Sequence, residues 1–362
     1  MNGGPILVMA GGTGGHVYPA LAVAEALRAQ SREIVWLGTR CGLEARVVPA
    51  AGIRIEWVSI HGLRGKGKMA LIAAPFRLCY ALFQSLRIVA RHQPAVVLGM
   101  GGFVSGPGGL AAWLMRRPLI IHEQNAVSGL TNRLLARLAR VVLQAFPGSF
   151  SSRVDAQAIG NPVRADIAAI ADPETRLTER QGPVRILVLG GSQGALALNR
   201  VLPAALARLH RDIPLLVRHQ AGEHKLAEAK EAYRETGVEV ELLGFIEDMA
   251  GAYNWADLVV CRAGALTVAE IAAAGLPAIF IPFPAAVDDH QTANATPMAK
   301  AGAATIIDES VLSAESLADT LRGWLGSREQ LRERAGIARS FATPDALADI
   351  TNACLELAGA RS

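Results

Sequence analysis

Thr13-Gly14-Gly15-His16 puts an imidazole at the mouth of a glycine-rich turn, directly after the apolar run Ile6 to Ala10. A histidine there can reach a bound molecule and take a proton from it, because imidazole titrates near neutrality. A second polar knot, His122-Glu123-Gln124-Asn125, closes another apolar run, Leu119 to Ile121. It begins like the zinc motif H-E-x-x-H, but Ala126 stands where the second histidine belongs and the setting is a strand end. A zinc protease is therefore excluded, and the polar groups are placed either to hydrogen-bond a sugar or to fasten a buried polar turn. In the second half, Gly264 to Glu270 follows the apolar Leu258 to Cys261. That segment offers a helix start to a phosphate, and in Glu270 a carboxylate that can accept hydrogen bonds from two vicinal hydroxyls, as on a ribose. Asp288-Asp289-His290-Gln291, with Asn294, adds amide and imidazole groups that can read sugar hydroxyls. No D-x-D occurs, which argues against a metal-dependent nucleotide-sugar site of that type, and the four scattered cysteines show neither C-x-x-C nor zinc spacing.

These groups need rigid elements behind them, and glycines mark where those lie. Ile6 to Ala10 runs into GGTGGH (11–16), Ile186 to Leu189 into GGSQG (190–194), and GGFVSGPGG (101–109) is a third such turn, with Pro107 suited to a first helical turn. A strand, a glycine turn and a helix let backbone N–H groups approach a phosphate with no Cβ in the way. Neither GGTGGH nor GGSQG fits the dinucleotide fingerprint or the Walker loop, which points to a phosphate-bearing ligand other than NAD or ATP. Strands are predicted near 5–10, 33–37, 55–58, 95–99, 118–122, 141–144 and 156–159, then near 184–189, 213–218, 238–243, 257–261, 278–281 and 304–307. Helices are predicted between them, among them 17–29, 69–91, 107–115, a short piece after Pro147, 194–209 and 265–274. This alternation predicts an α/β chain of doubly wound parallel sheets with ligands at the C-terminal strand ends. A length of 362 residues suits two domains, and the turn Gly160-Asn161-Pro162 marks the boundary.

Charge separates the halves. Residues 1–164 hold eighteen Lys and Arg against six Asp and Glu, a formal +12, whereas the remainder is −8 within a total of +4. Such a basic half is drawn to anionic surfaces, and without a helix-turn-helix or aromatic-basic clustering a membrane fits better than nucleic acid. The segment 69–91 supports this, with Leu71, Ile72, Phe76, Leu78, Leu82, Phe83, Leu86 and Ile88 beside Arg77, Arg87 and Arg91, after a loop containing Arg64, Lys66 and Lys68. Residues 95–115 carry no charge, but their glycines and Pro107 read as buried strand, loop and helix and not as a membrane span. No signal peptide is read at the start, and the cysteine usage suits a reduced cytoplasmic setting.

GGTGGHVYPALAVA, GGFVSGP, HEQN, GNPVR, GGSQGA, CRAGALTVAEIAAAGLPAIFIPF and DDHQTANA occur in this order across nearly the whole chain. The set resembles the bacterial undecaprenyl-diphospho-muramoylpentapeptide β-N-acetylglucosaminyltransferases, which turn lipid I into lipid II in peptidoglycan synthesis. The resemblance implies a GT-B fold, two Rossmann-like domains facing a deep cleft. Residues 1–163 plus 344–362 would bind acceptor and membrane, with the last helix returning after a break near Thr343-Pro344, and residues 164–343 would bind the UDP-sugar. It implies transfer of N-acetylglucosamine from UDP-N-acetylglucosamine to the 4-hydroxyl of lipid I with inversion, with no cofactor and no metal. On this pattern Arg164 and Ser192 contact the diphosphate, Ile246 the uracil through its backbone, Ala265, Leu266 and Thr267 the phosphate, Glu270 the ribose and Gln291 the sugar, with Val268 and Ala269 also in the donor site. Thr13, Gly14, Gly15 and Asn125 complete the donor site, while Gly102, Ser105, Gly106, Arg64 and Lys66 fall to the lipid acceptor. The family often has tyrosine where Phe103 stands, so no hydroxyl there is essential to this chain. Inversion requires a base for the 4-hydroxyl, which would be His16, with Glu123 as its rival or as the carboxylate that orients it. The implied partners are UDP-N-acetylglucosamine, lipid I, an anionic membrane surface and proteins of cell-wall synthesis and division, with no nucleic acid. The implied place is the cytoplasmic face of the inner membrane, peripherally held. A UDP-N-acetylglucosamine 2-epimerase of the same fold would share the donor pocket but need no lipid or basic face, so the charge of the first half argues against it.

Overall fold

The computed structural model describes residues 4–60, 74–191, 195–234, 236–286 and 289–359. They divide into two compact units, Met1–Val163 with Thr343–Ser362, and Arg164–Ala342. In the first unit β1 (Ile6–Met9), β2 (Ile34–Gly38), β3 (Arg54–Trp57), β4 (Val96–Gly99), β5 (Leu119–Glu123), β6 (Val141–Gln144) and β7 (Ala156–Ala158) form a parallel sheet ordered β3-β2-β1-β4-β5-β6-β7. In the second, β8 (Val184–Leu189), β9 (Leu215–Gln220), β10 (Val240–Leu243), β11 (Leu258–Cys261), β12 (Ala278–Phe280) and β13 (Ala304–Ile306) form another, ordered β10-β9-β8-β11-β12-β13. The chain reverses its direction of winding between β1 and β4, and again between β8 and β11. Each reversal opens a crevice at the C-terminal strand ends, where the glycine turns lie. Every residue of β1, β4 and β5 is buried, as a parallel sheet covered on both faces requires.

One face of the first sheet is covered by the helix Gly14–Ala29 and the last helix, Ala346–Gly359, whose Ile350, Cys354 and Ala358 share a core with Val17, Ala24 and Leu27. Thr343 lies with this unit because Gly160, at φ +89°, leaves its Cβ position empty and the Thr343 side chain fills that space. The other face carries Ala74–His92, Ser105–Leu114 and Leu130–Leu135. The first of these splits its apolar residues. Ile88 and Val89 join the core, Leu82 and Leu86 pack beside it, and Phe76, Leu78, Tyr80 and Phe83 stand exposed with Arg77, Arg87 and Arg91. Leu71, Ile72 and the loop basic residues, including Arg64 and Lys66, lie outside the described residues. Among the described residues, no helix is long and apolar enough to cross a membrane.

Local differences from the sequence reading have simple causes. The helix expected from residue 17 begins at Gly14 and the one expected from 107 begins at Ser105, because glycine turns carry no apolar period to reveal their first helical turn. No helix follows Pro147. The helix expected from residue 194 is described from Leu196, with 192–194 outside the described residues. Residues 164–183 hold two short helices that the sequence did not suggest, Ala165–Ala168 and Pro173–Leu177, the latter with Pro173 in its first turn. From there Arg176 donates to the carbonyls of Ala274 and Gly275, capping the helix Ala265–Ala274, and Arg180 donates to those of Asn254, Trp255 and Ala256.

Each unit buries one neutral histidine. His122 donates from Nε2 to the Gly160 carbonyl at 2.9 Å and accepts at Nδ1 from the Gln124 amide at 3.2 Å. His219 donates from Nε2 to the Asn199 Oδ1 and accepts at Nδ1 from the Tyr233 hydroxyl, both at 3.1 Å. Burial lowers both pKa values from 6.5 to about 4, and at His122 the Gly160 carbonyl and Glu123 oppose this in part. The unfolded chain therefore takes up protons before the folded one does. Stability is intact above pH 6.5 and is lost as pH falls toward 4, by about 2 kcal/mol per histidine near pH 5. Urea unfolding midpoints are expected to drop clearly between pH 7 and pH 5, and equal midpoints would contradict neutral burial.

Candidate active site

In the first unit the site grows from the crevice between β1 and β4. Gly12, Gly101 and Gly102 all adopt positive φ, at +97°, +92° and +82°. A Cβ on Gly102 would strike the Gly11 carbonyl, and one on Gly101 would come within 2.5 Å of His16 Cδ2 and 3.0 Å of its Nε2. The absence of side chains thus lets the two turns interlock, and it seats the half-buried imidazole against the second turn. Thr13, the N-cap residue of the His16 helix, makes no side-chain capping bond and is exposed, as is Gly15, while Gly14 is half-buried. Gly102 and Gly106 are half-buried at the second turn, and Phe103 projects from it.

Two expected residues have other duties. Glu123 is buried, and its carboxylate accepts from the backbone N–H groups of Asn125 and Gly129 and from the side-chain amides of Asn125 and Asn132, at 2.9–3.2 Å. Four donors on two oxygens make it a fastener of the turn after β5, not a base free to take a proton. Ser105 is fully buried, and its hydroxyl turns back on the Gly101 carbonyl at 2.8 Å and the Met9 carbonyl at 3.3 Å, so it holds the glycine turn and has no hydroxyl to offer an acceptor. Asn125 stays half-buried at this rim.

In the second unit the crevice lies between β8 and β11. Gly191, at φ +75°, opens the turn there, and Ser192 lies outside the described residues. After β11 the chain turns at Gly264 into the helix Ala265–Ala274. Ala265, Leu266 and Thr267 occupy the helix positions whose N–H groups have no intrahelical acceptor. Val268 does not share that property, since it is buried and its N–H bonds the Gly264 carbonyl, and Ala269 sits a further position inside the helix. Glu270 accepts from the Tyr253 hydroxyl at 3.0 Å, and its other oxygen lies 3.8 Å from Arg164 Nε. Burial raises its pKa, against the pull of Arg164 and the Tyr253 hydrogen bond. Gln291 places its side-chain oxygen on the N–H groups of Ala263, at 3.2 Å, and Phe283, at 2.9 Å, which turns its amino end the other way. Asn294 and Arg262 tie the same turns together by bonding the carbonyls of Ala263, Ile281 and Pro282. Ile246 is buried beside the exposed Phe245 in the loop after β10, and Asp288 lies outside the described residues.

Sequence reasoning missed Tyr253 and Glu44. Tyr253 sits in apolar surroundings where only tertiary contacts reveal a partner. The signal for Glu44 was a carboxylate preceded by Gly38 and Gly42.

The chain matches the glycosyltransferase family 28 N-terminal domain over residues 6–144 and the family's C-terminal domain over residues 185–350. It is 57% identical, over 97% of its length and 98% of the relative's, to a protein of Alkalilimnicola ehrlichii named UDP-N-acetylglucosamine–N-acetylmuramyl-(pentapeptide) pyrophosphoryl-undecaprenol N-acetylglucosamine transferase. Among solved structures it resembles Acinetobacter baumannii MurG, with a TM-score of 0.86 and 42% identity over 98% of this chain and 99% of that one. A putative UDP-N-acetylglucosamine 2-epimerase from Listeria monocytogenes shares the fold alone, at TM-score 0.67 and 14% identity over 99% of this chain and 97% of that one.

The fastening role of Glu123 makes a thermodynamic prediction. Glu123→Ala leaves four donors without their acceptor, the Asn132 amide among them buried, and is expected to lower unfolding free energy by about 2–3 kcal/mol, measured by urea denaturation. A loss below about 0.5 kcal/mol, the level usual for an exposed side chain, would contradict the role.

Proposed function

The chain belongs to glycosyltransferase family 28, and on that premise we propose that it transfers N-acetylglucosamine from UDP-N-acetylglucosamine to the 4-hydroxyl of lipid I, giving lipid II with inversion. The observation that carries this reading is that relatives named for the reaction are 53–57% identical over 97–98% of this chain, spanning both units.

The second unit takes the donor. Arg164 and the N–H groups of Ala265 to Thr267 supply fixed positive potential to the departing diphosphate, and a partly buried helix end is worth up to ~2 kcal/mol. Ser192 adds its hydroxyl. Glu270, held at one oxygen by Tyr253, accepts from the ribose hydroxyls, Ile246 meets the uracil, and Gln291 presents its amino group to the sugar. No metal takes part in this mechanism, because the helix start and Arg164 offset the charge that a cation would otherwise balance. The first unit takes the acceptor, its diphosphate near the glycine turns with Gly102 and Gly106, and Arg64 and Lys66 contribute to holding it. His16 removes the proton from the 4-hydroxyl as the new bond forms to the anomeric carbon and the bond to UDP breaks. With Glu123 committed to four donors, His16 is the base this reading names.

The acceptor's polyprenyl tail requires a membrane. Exposed Phe76, Leu78, Tyr80, Phe83, Trp113 and Leu130 belong to three helices on one face of the first sheet, with arginines beside them. Apolar side chains flanked by cations suit peripheral attachment to an anionic leaflet, at roughly 1 kcal/mol per basic residue near the surface. We place the protein on the cytoplasmic side of the inner membrane, among the proteins of cell-wall synthesis and division.

The test is radiolabel transfer from UDP-N-acetylglucosamine to a lipid I analogue, with EDTA present. Acceptor-dependent label in butanol-extractable material is expected to survive EDTA. Sugar release or isomerisation without transfer would overturn the function, and loss with EDTA would overturn metal independence alone. A Phe76→Ser/Phe83→Ser variant is expected to lose sedimentation with anionic vesicles while keeping turnover on a water-soluble acceptor, and unchanged sedimentation would remove the membrane face.

A further inference from the structure

Glu44 is a fully buried carboxylate directly behind the first glycine turn. It accepts from the Gly12 N–H at 2.9 Å, the Thr39 N–H at 2.9 Å and the Thr39 hydroxyl at 2.7 Å. The next residue back completes the grip, since the Leu43 N–H donates to the Gly12 carbonyl at 3.3 Å. Both polar groups of Gly12 are thus held by residues 43 and 44. Three glycines make room for this carboxylate. A Cβ on Gly11 would sit 2.7 Å from Glu44 Oε1, one on Gly38 would sit 2.9 Å from its Cγ, and one on Gly42 would overlap the carboxylate itself.

This arrangement changes what the first turn can do. Glycine turns at helix starts attract anions because their N–H groups point outward. Here one of those N–H groups already serves a carboxylate belonging to the protein. From Gly12 the chain passes directly to Thr13, whose carbonyl accepts from the N–H groups of His16 and Val17 and so starts the helix that carries the imidazole. On the far side the same turn meets Gly101 and Gly102.

We propose that Glu44 is a positioning residue that fills the back of the first glycine turn with the protein's own carboxylate, fixing the His16 helix start for proton transfer from a sugar hydroxyl. The inference rests on the reading of His16 as the base and adds the means by which the base is held. The carboxylate acts through Gly12 and touches no reacting atom.

Glu44→Gln keeps the size but cannot accept from every donor now bonded. It is expected to lower kcat about tenfold or more, while KM for UDP-N-acetylglucosamine and the calorimetric affinity for UDP stay within about twofold. In a His16→Ala background the same change is expected to cost less than about twofold, because the two act as one unit. Thr39→Val, which removes one donor to Glu44 and leaves the Gly12 bond, provides a milder variant should Glu44→Gln fail to fold, with a smaller kcat loss that is again absent without His16. Wild-type kcat in folded Glu44→Gln, or losses that multiply in the double variant, would each overturn the proposal. Should His16→Ala alone lose little turnover, the base assignment fails, and the split between kcat and KM in Glu44→Gln still decides for or against Glu44.

Discussion

At the C-terminal edge of the first sheet two turns pass so closely that neither can carry a side chain at the point of contact. Gly102 leaves space for the Gly11 backbone, and Gly101 leaves space for the ring of His16. The parallel register that pairs Met9 with Gly99 brings the turns to the same level, and Ser105 locks the second of them by bonding the Met9 and Gly101 carbonyls. Much of the first unit is arranged around keeping this contact in place. Glu44 supports it from one side, and on the other the network of His122, Gln124 and Met100 joins the ends of β4 and β5.

The second unit solves a different problem by different means. A donor with a diphosphate needs positive potential and oriented hydrogen-bonding groups, so here side chains fix backbone turns. Gln291 and Arg262 hold the turns after β11 and β12, while Arg176 braces the far end of the helix whose start lies beside Gly264. Glu270 is placed between a tyrosine hydroxyl and an arginine, which lets a nearly buried carboxylate keep its place against the cost of desolvation. On the proposed reading, chemistry on the first unit and donor recognition on the second follow from these two constructions.

The strands were legible because fully buried parallel strands are uninterrupted apolar runs, as in Ile6 to Met9 and Val184 to Leu189. Gly11–His16 and Gly264–Glu270 stood out as site candidates because glycine and polar residues at strand ends have few structural uses there. What the sequence hid was the difference between a polar side chain offered to a ligand and one consumed by the fold. Glu123 and Ser105 look available in their motifs, yet their partners, Asn132 and the Met9 carbonyl among them, are brought up only by tertiary structure. Glu44 is the converse case, because it lies outside the polar motifs and its partner Gly12 is brought up only by tertiary structure. The helix Ala74–His92 carried both answers at once, since Ile88 turns inward and Phe76 outward on one continuous apolar sequence.

The central claim is a division of labour in which the first unit performs the proton transfer and the second holds the nucleotide. Calorimetric titration of UDP into His16→Ala and Glu270→Ala tests it most directly. The account predicts wild-type affinity, within about twofold, for the His16 variant, and a loss of about tenfold or more for the Glu270 variant, as removal of a hydrogen bond to a charged group produces. Equal losses in both, or a loss confined to His16→Ala, would contradict it.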